Sequence, residues 1–186
     1  MKFEPGKIID EFEVDGKKVI FRYPKKDDVD GLMNYLNSMI ENKEYLGRLK
    51  KVNRQDEVKW LRGVFRDMKK SEKLIIVVEL NGVIVGNCYL RRSESDATKH
   101  VSDIGIGLMK EAQDKGIGTR LLKCAEKQSK YLNAKILTIE VFSVNKRAWY
   151  VYEKKLGYKY VGRIPNYNYH FGKYYDRIIF YKEVPK

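Results

Sequence analysis

Residues 113–128 read QDKGIGTRLLKCAEKQ, which sets two glycines directly in front of a run with helical apolar spacing. A helix start ordinarily takes Ser, Thr, Asp or Asn, whose side-chain oxygen caps a bare N–H. Without such a cap the first-turn N–H groups and the positive end of the helix dipole stay exposed. An anion such as phosphate can replace the cap, and glycine lets the backbone close on it without interference from a Cβ. The stretch therefore predicts a phosphate cradle at a strand–helix junction, with Lys115 and Arg120 adding positive charge beside it. It is not a P-loop, because no Gly-Lys-Ser/Thr follows. It is not a dinucleotide fingerprint either. Counted from Gly105, Lys110 stands where the third glycine belongs, and counted from Gly116, Leu121 does. Such a unit would also open the fold, whereas at least four strands precede this one.

Outward from the cradle, the apolar period changes along the chain. Toward the N-terminus, "KLIIVVEL" and "VIVGNCYL" are β-branched runs joined by Asn81-Gly82, and "FEV" and "KVIFRY" flank Asp15-Gly16. Both dipeptides favour the positive φ values of a tight hairpin turn. Between these hairpins lie two helical stripes: Leu32, Tyr35, Leu36, Met39 and Ile40, then Val58, Leu61, Val64, Phe65 and Met68. Asp27 or Asp28 can cap the first. "HVSDIGIGLM" reads as the strand entering the cradle, and "AKILTIEVF" as a buried strand after its helix. "VNKRAWYVYEKKLGY" reads as a helix closed by Gly157, and two strands around Gly172 end the chain. The expectation is one domain over residues 1–186. Its class is α/β, a mixed and mostly antiparallel sheet of about seven strands flanked by about four helices. The strand–helix–strand unit around the cradle is the one place that needs a parallel crossover.

Composition narrows the function. The chain has 186 residues, 43% of them hydrophobic, which is enough for a packed core and excludes a disordered polymer. No apolar run reaches the roughly 20 residues a bilayer needs. The acid-bearing N-terminus lacks the apolar segment of a signal peptide. Cys88 and Cys124, the two cysteines, sit in apolar contexts without metal-like spacing, and a reducing cytoplasmic setting is expected. Two unpaired histidines, His100 and His170, predict no metal site. The formal charge of +13 predicts a field that attracts anions, whether nucleic acid, an acidic surface or a polyanionic cofactor, or simply a lysine-rich surface.

The hexapeptide QDKGIG matches Q/R-x-x-G-x-G/A and resembles the acetyl-CoA signature of the GNAT superfamily of N-acetyltransferases. The likeness extends over "DIGIGLMKEAQDKGIGTRLL" and over "LTIEVFSVNKRAWYVYEKKLGYKYVGR", which carries the family's N-x-x-A-x-x-x-Y as Asn145, Ala148 and Tyr152. The two ends of the chain are similar to the branch that acetylates protein N-termini, polyamines and other small amines. The resemblance implies a splayed sheet that admits acetyl-CoA between its fourth and fifth strands in the family's count. Backbone groups of Gly107, Leu108 and Met109 would pair with the pantetheine arm, and Gly105 and Gly107 would let it approach closely. Gln113, Asp114, Lys115, Gly116, Ile117, Gly118 and Thr119 form the diphosphate loop, with the N–H groups of Lys115 to Thr119 on the diphosphate. Asn145 would hydrogen-bond the arm, and Leu108 would offer its N–H to the oxyanion.

Acetyl transfer to an amine needs a neutral nucleophile, a donor for the oxyanion and a donor for the leaving sulfur. Tyr152, seven residues after Asn145 and so on the same helix face, is the candidate acid. The family's usual Y-E-K-L-G-F is here "YEKKLGY", one residue longer before Gly157, so either the helix end lengthens or Tyr150 takes the place of Tyr152. Asp103, in the alternation of Gly105 and Gly107, and Glu140, read as a buried acid in an apolar strand, are both candidate bases. Glu41 and Glu44 stand where the family often reads its acceptor. The tyrosine-rich "RIPNYNYHFGKYYD" lines an amine pocket or packs as an aromatic hairpin, and neither histidine is given a role.

The reading is an N-acetyltransferase that moves the acetyl group of acetyl-CoA to a primary amine by direct attack in a ternary complex. Neither cysteine has a histidine partner in view, which argues against an acyl-enzyme. The amine acceptor is a small molecule or a protein N-terminus. No membrane partner and no metal are expected, and a homodimer rests on family analogy alone. The alternatives are a basic nucleic-acid-binding module, unsupported by any groove-reading motif, and a CoA-binding regulatory protein without turnover.

Overall fold

Both dipeptide turns form as their φ preferences require: Asp15 and Gly16 have φ of 52° and 69°, and Asn81 and Gly82 have φ of 48° and 81°. In the computed structural model, which describes residues 3–184, they join β1 (Ile8–Val14) to β2 (Lys17–Arg22) and β3 (Lys73–Leu80) to β4 (Val83–Arg92). Between the hairpins run α1 (Val29–Glu41) and α2 (Arg54–Lys69). Then come β5 (Val101–Leu108), α3 (Ile117–Gln128), β6 (Ile136–Phe142), a short α4 (Lys146–Tyr150), β7 (Lys159–His170) and β8 (Lys173–Glu183).

Eight strands make one sheet in the order β1-β2-β3-β4-β5-β6-β8-β7, antiparallel everywhere except between β5 and β6. That parallel pair is short. It runs from Val101 opposite Ile136 to Ile104 opposite Ile139 and stops. Past that point Gly105–Leu108 stay paired to β4, while Glu140–Phe142 stay paired to β8. The two halves of the sheet therefore part, and one edge of β5 is left without a strand partner.

The helices divide between the faces by strand parity. Even-numbered β5 residues face α3, since Gly118 lies against Leu108 and Ile106. Odd-numbered ones face α1, since Gly107 lies against Tyr35. α4 packs on the α3 side through Trp149 and Phe180. Most of the predicted stripe positions are buried, Leu32, Tyr35, Met39 and Ile40 of α1 and Leu61, Val64 and Met68 of α2, with Leu36, Val58 and Phe65 half-buried beside them, and α3 buries Leu121, Leu122 and Ala125. Arg22 is buried on β2, where it holds both oxygens of Asp28 at 2.7 Å and also bonds Glu79. A charge so buried persists only because it is fully paired. No helix among the described residues is long and apolar enough to cross a membrane.

One buried group is not paired in this way. Glu57, in the first turn of α2, is 4% exposed, and no donor among the described residues bonds its carboxylate. Burial pushes its pKa up from 4.5 to about 7, against the weaker opposing field of Arg48. The unfolded chain ionises near 4.5, so the stability given by the protonated form is complete below that pH. It is lost as pH rises through 7. Glu57→Gln is therefore expected to stabilise the fold by about 1–3 kcal/mol at pH 8 and to change little at pH 4. Urea titrations at the two pH values check this.

Candidate active site

The cradle begins with Asp114 and Gly116 in left-handed backbone, φ of 58° and 76°. Their turn leaves the amides from Lys115 to Thr119 without a protein acceptor among the described residues at the start of α3. Gly116 is the N-cap and supplies no side-chain bond, and the first turn of α3 carries no acidic residue. Among the described residues, the first amide after the turn with a protein acceptor is that of Arg120, bonded to the Gly116 carbonyl at 3.1 Å. Uncapped N–H groups at the positive end of a 12-residue helix suit an anion of more than one charge.

The cradle opens into a cavity of about 270 Å³ that runs toward the parted strands and is lined by Gly107, Leu108, Gly118, Thr119, Asn145 and Tyr152. Met109 donates its N–H to Val85 on β4 at 2.8 Å. Alternation along the strand then turns the Leu108 N–H the other way, into the gap. Gln113 bridges the same corner, donating from Nε2 to the Leu108 carbonyl at 2.6 Å and so tying the loop to the end of β5. Asn145 caps α4: its Oδ1 accepts from the Ala148 N–H at 3.1 Å. With the oxygen so committed, its NH2 group is the end free to donate into the cavity.

Tyr152 closes the inner end. It is 5% exposed, packs against Phe180 and Tyr158, and no group among the described residues bonds its hydroxyl. Burial raises its pKa well above the ordinary phenol value, so it is a neutral donor across the physiological range. The extra residue of YEKKLGY is absorbed after α4, where residues 151–155 form a π turn in which the Leu156 N–H reaches the Val151 carbonyl at 3.0 Å. The wider turn takes up the insertion, and Gly157 ends it at φ 72°. Tyr152 thus keeps its inward aim, while Tyr150 is 53% exposed and outside the cavity.

Behind Gly107 a second chamber of about 580 Å³ continues on the other face of the sheet and shares Gly107, Asn145 and Tyr152 with the first. Tyrosines shape it. A Cβ on Gly105 would sit 2.3 Å from the Tyr89 ring, and one on Gly107 would sit 2.2 Å from the Tyr35 hydroxyl. The close approach that these glycines permit is therefore made by protein rings, not by a ligand arm as the sequence suggested. Over the chamber runs the α1–α2 connection. Tyr45 packs on Phe142 and His170 at centroid distances of 5.3 and 5.4 Å. His170 donates from Nε2 to the Glu44 carbonyl at 3.0 Å, which fastens the connection to the tip of the β7–β8 hairpin.

Several expected roles fall elsewhere. Lys115 pairs with Asp15, and Arg120 grips Asp10 through two bonds and stacks on Phe12 at 3.8 Å, so both cations serve the β1–β2 hairpin rather than the cradle. Ile117 is fully buried and lines neither cavity, and the Met109 amide is spent on β4. Asp114 pairs with Arg147 at 3.1 Å. Glu41 pairs with Lys51 and lines neither cavity, whereas Glu44 lines the first. Asp103 and Glu140 both reach the second chamber. Glu140 is not the buried acid expected: its side chain is 46% exposed and pairs with Arg177 at 2.6 Å. Both oxygens of Asp103 are taken by Arg91, at 3.0 and 3.2 Å. The tyrosine-rich stretch does form a hairpin, with Tyr167, Tyr169 and Tyr174 exposed, and sends Asn168 into the chamber.

Sequence reasoning passed over Arg147, Arg177, Tyr45 and the clasp made by His170. Arg147 lines the first cavity from the start of α4. A signal for it exists, since a cation at a helix N-terminus opposes the dipole and asks for an anion nearby. The others come together only through tertiary contacts.

Comparison with known proteins agrees with this architecture. Residues 39–158 match the model of the Acetyltransferase (GNAT) family. No curated protein matches the chain in sequence. Among solved structures, an N-acetyltransferase from Staphylococcus aureus Mu50 superposes with a TM-score of 0.80 at 20% identity, covering 90% of this chain and 99% of that one. A ribosomal-protein-alanine N-acetyltransferase from Brucella melitensis gives 0.78 at 20% identity, with 88% and 98% covered. The microcin C7 self-immunity acetyltransferase MccE, solved with acetyl-CoA and AMP, gives 0.75 at 20% identity, with 89% and 92% covered.

Proposed function

The chain belongs to the GNAT family of acetyltransferases, and from that premise we propose that it carries acetyl from acetyl-CoA to a primary amine by direct attack within a ternary complex. The observation that carries this reading is the run of unengaged amides at residues 115–119 beside a cavity that shares Gly107, Asn145 and Tyr152 with the chamber at the gap between β5 and β6. The residues fit the cosubstrate. The cradle suits a diphosphate, Arg147 lies within reach of the same cavity, and the NH2 group of Asn145 suits an amide carbonyl of the arm. Acetyl-CoA supplies a thioester, whose acetyl group passes to the amine with release of the thiol.

The chain's own groups divide the work. The Leu108 N–H, turned into the gap, donates to the oxygen on which charge develops. The Tyr152 hydroxyl donates to the leaving sulfur. A phenol raised above about 10 by burial is a weaker acid than an alkyl thiol near 8.5, so Tyr152 acts by holding a hydrogen bond rather than by surrendering its proton. Glu140 takes the base role in preference to Asp103, for two reasons. Among the described residues only its Oε2 is paired with a cation, while both of Asp103's oxygens are held by Arg91. It also lies past the last paired position of β6, in the opened part of the sheet, whereas Asp103 is five residues from Leu108 along the strand, about 16 Å.

Two measurements test the assignment. Acetyl-CoA at about 100 times its dissociation constant should stabilise the fold by about 2.7 kcal/mol, a rise in Tm of about 5–11 °C for a chain of this size. A panel of amines with thiol-release detection should then show turnover. A thermal shift without turnover on any amine would leave a CoA-binding protein, and no shift would remove the cosubstrate.

A further inference from the structure

The second chamber says more about the acceptor than that it is an amine. Its lining holds four charged side chains, Arg91, Asp103, Glu140 and Arg177, and their charges cancel. The Arg91–Asp103 pair is closed on itself by two parallel bonds. The Arg177–Glu140 pair is open. Arg177 sits 2.6 Å from a Glu140 oxygen as an ion pair and donates one N–H to the Asn168 oxygen at 2.8 Å, and no other acceptor among the described residues takes its remaining donors. Its plane is held 3.8 Å from the centroid of the Tyr167 ring.

That grip on Arg177 is built into the β7–β8 hairpin. Between Ile164 and Asn168 strand β7 carries an irregularity opposite β8, with Asn166 at φ 51°. Asp176 pins the bulge by accepting from the Asn166 N–H at 2.9 Å. The bulge thereby sets Tyr167 under the guanidinium and Asn168 beside it. A guanidinium fixed in this way at a chamber wall, with donors to spare, is prepared for a planar anion. Next to it Glu140 offers a carboxylate oxygen of its own.

We propose that the acceptor is an α-amino acid or a close zwitterionic analogue, its ammonium group directed at Glu140, its carboxylate at Arg177 and its side chain among the rings of Tyr45, Tyr89 and Phe142. An open ion pair presents the two charges of a zwitterion with its complement in one step. A polyamine finds no surplus carboxylate here and must enter a protein of formal charge +13. A peptide N-terminus brings no carboxylate beside its amine, so it would desolvate Arg177 without return.

The inference rests on the acetyltransferase reading and deepens it. The test compares kcat/KM for phenylalanine, phenylalanine amide, phenethylamine, a phenylalanyl dipeptide and spermidine, with leucine and isoamylamine as a second pair. Phenylalanine and leucine should each exceed their carboxylate-free partners by about 10- to 100-fold, the worth of a charge-assisted bond. Arg177→Gln should collapse that ratio toward one, whatever it does to the absolute rates. Equal rates for amino acid and bare amine, or preference for the dipeptide or spermidine, would overturn the acceptor assignment and leave the transferase standing. The wild-type ratios decide this even if Arg177→Gln fails to fold. No turnover on any compound would remove the transferase reading, and the inference with it.

Discussion

Tyr152→Phe is expected to lower kcat about 100-fold or more while leaving the dissociation constant of acetyl-CoA within about twofold. The substitution deletes one oxygen. The ring keeps its contacts with Phe180 and Tyr158, and because no group among the described residues bonds the hydroxyl, none of them is orphaned. Stability should therefore hardly change, and a loss of turnover reports on the reaction itself. The raised phenol pKa adds a second expectation. Below about pH 10 Tyr152 stays protonated, so the rise of activity with pH should follow deprotonation of the amine. No alkaline fall attributable to Tyr152 should appear in that range. Unchanged kcat in the variant would take the hydroxyl out of the mechanism.

The parts of the fold that were legible in the sequence are those fixed by local physics. Asp15-Gly16 and Asn81-Gly82 turn the chain because few other dipeptides tolerate two positive φ values. The stripes of α1, α2 and α3 are buried as their spacing requires. The uncapped start of α3 was legible because its cause, a glycine in place of a capping side chain, is written in the sequence. What escaped depends on partners far apart in the chain. Arg120 looked like cradle charge until it met Asp10, 110 residues earlier. Glu140 looked buried because its neighbours are apolar. Its exposure follows from β5 leaving β6 after Ile104, and no local pattern announces that divergence. The insertion in YEKKLGY left two outcomes open, and only the π turn, with its bond from the Leu156 N–H to the Val151 carbonyl, shows how Tyr152 keeps its place.

The central claim is that main-chain amides at the start of α3 bind the diphosphate of acetyl-CoA, and Thr119→Pro addresses it without altering charge. Proline removes one N–H and is tolerated in the first turn of a helix, where that N–H has no intrahelical partner. Gly118 before it lacks the Cβ that would crowd the ring. Thr119→Ala serves as control, since it keeps the amide and loses the side chain. Calorimetric titration of both variants with acetyl-CoA and with acetyl-pantetheine, which lacks the diphosphate, is the decisive measurement. The account predicts that Thr119→Pro binds acetyl-CoA about 10- to 100-fold more weakly, that acetyl-pantetheine affinity does not move, and that Thr119→Ala stays close to wild type. Equal losses for both ligands, or no loss for acetyl-CoA, would contradict it.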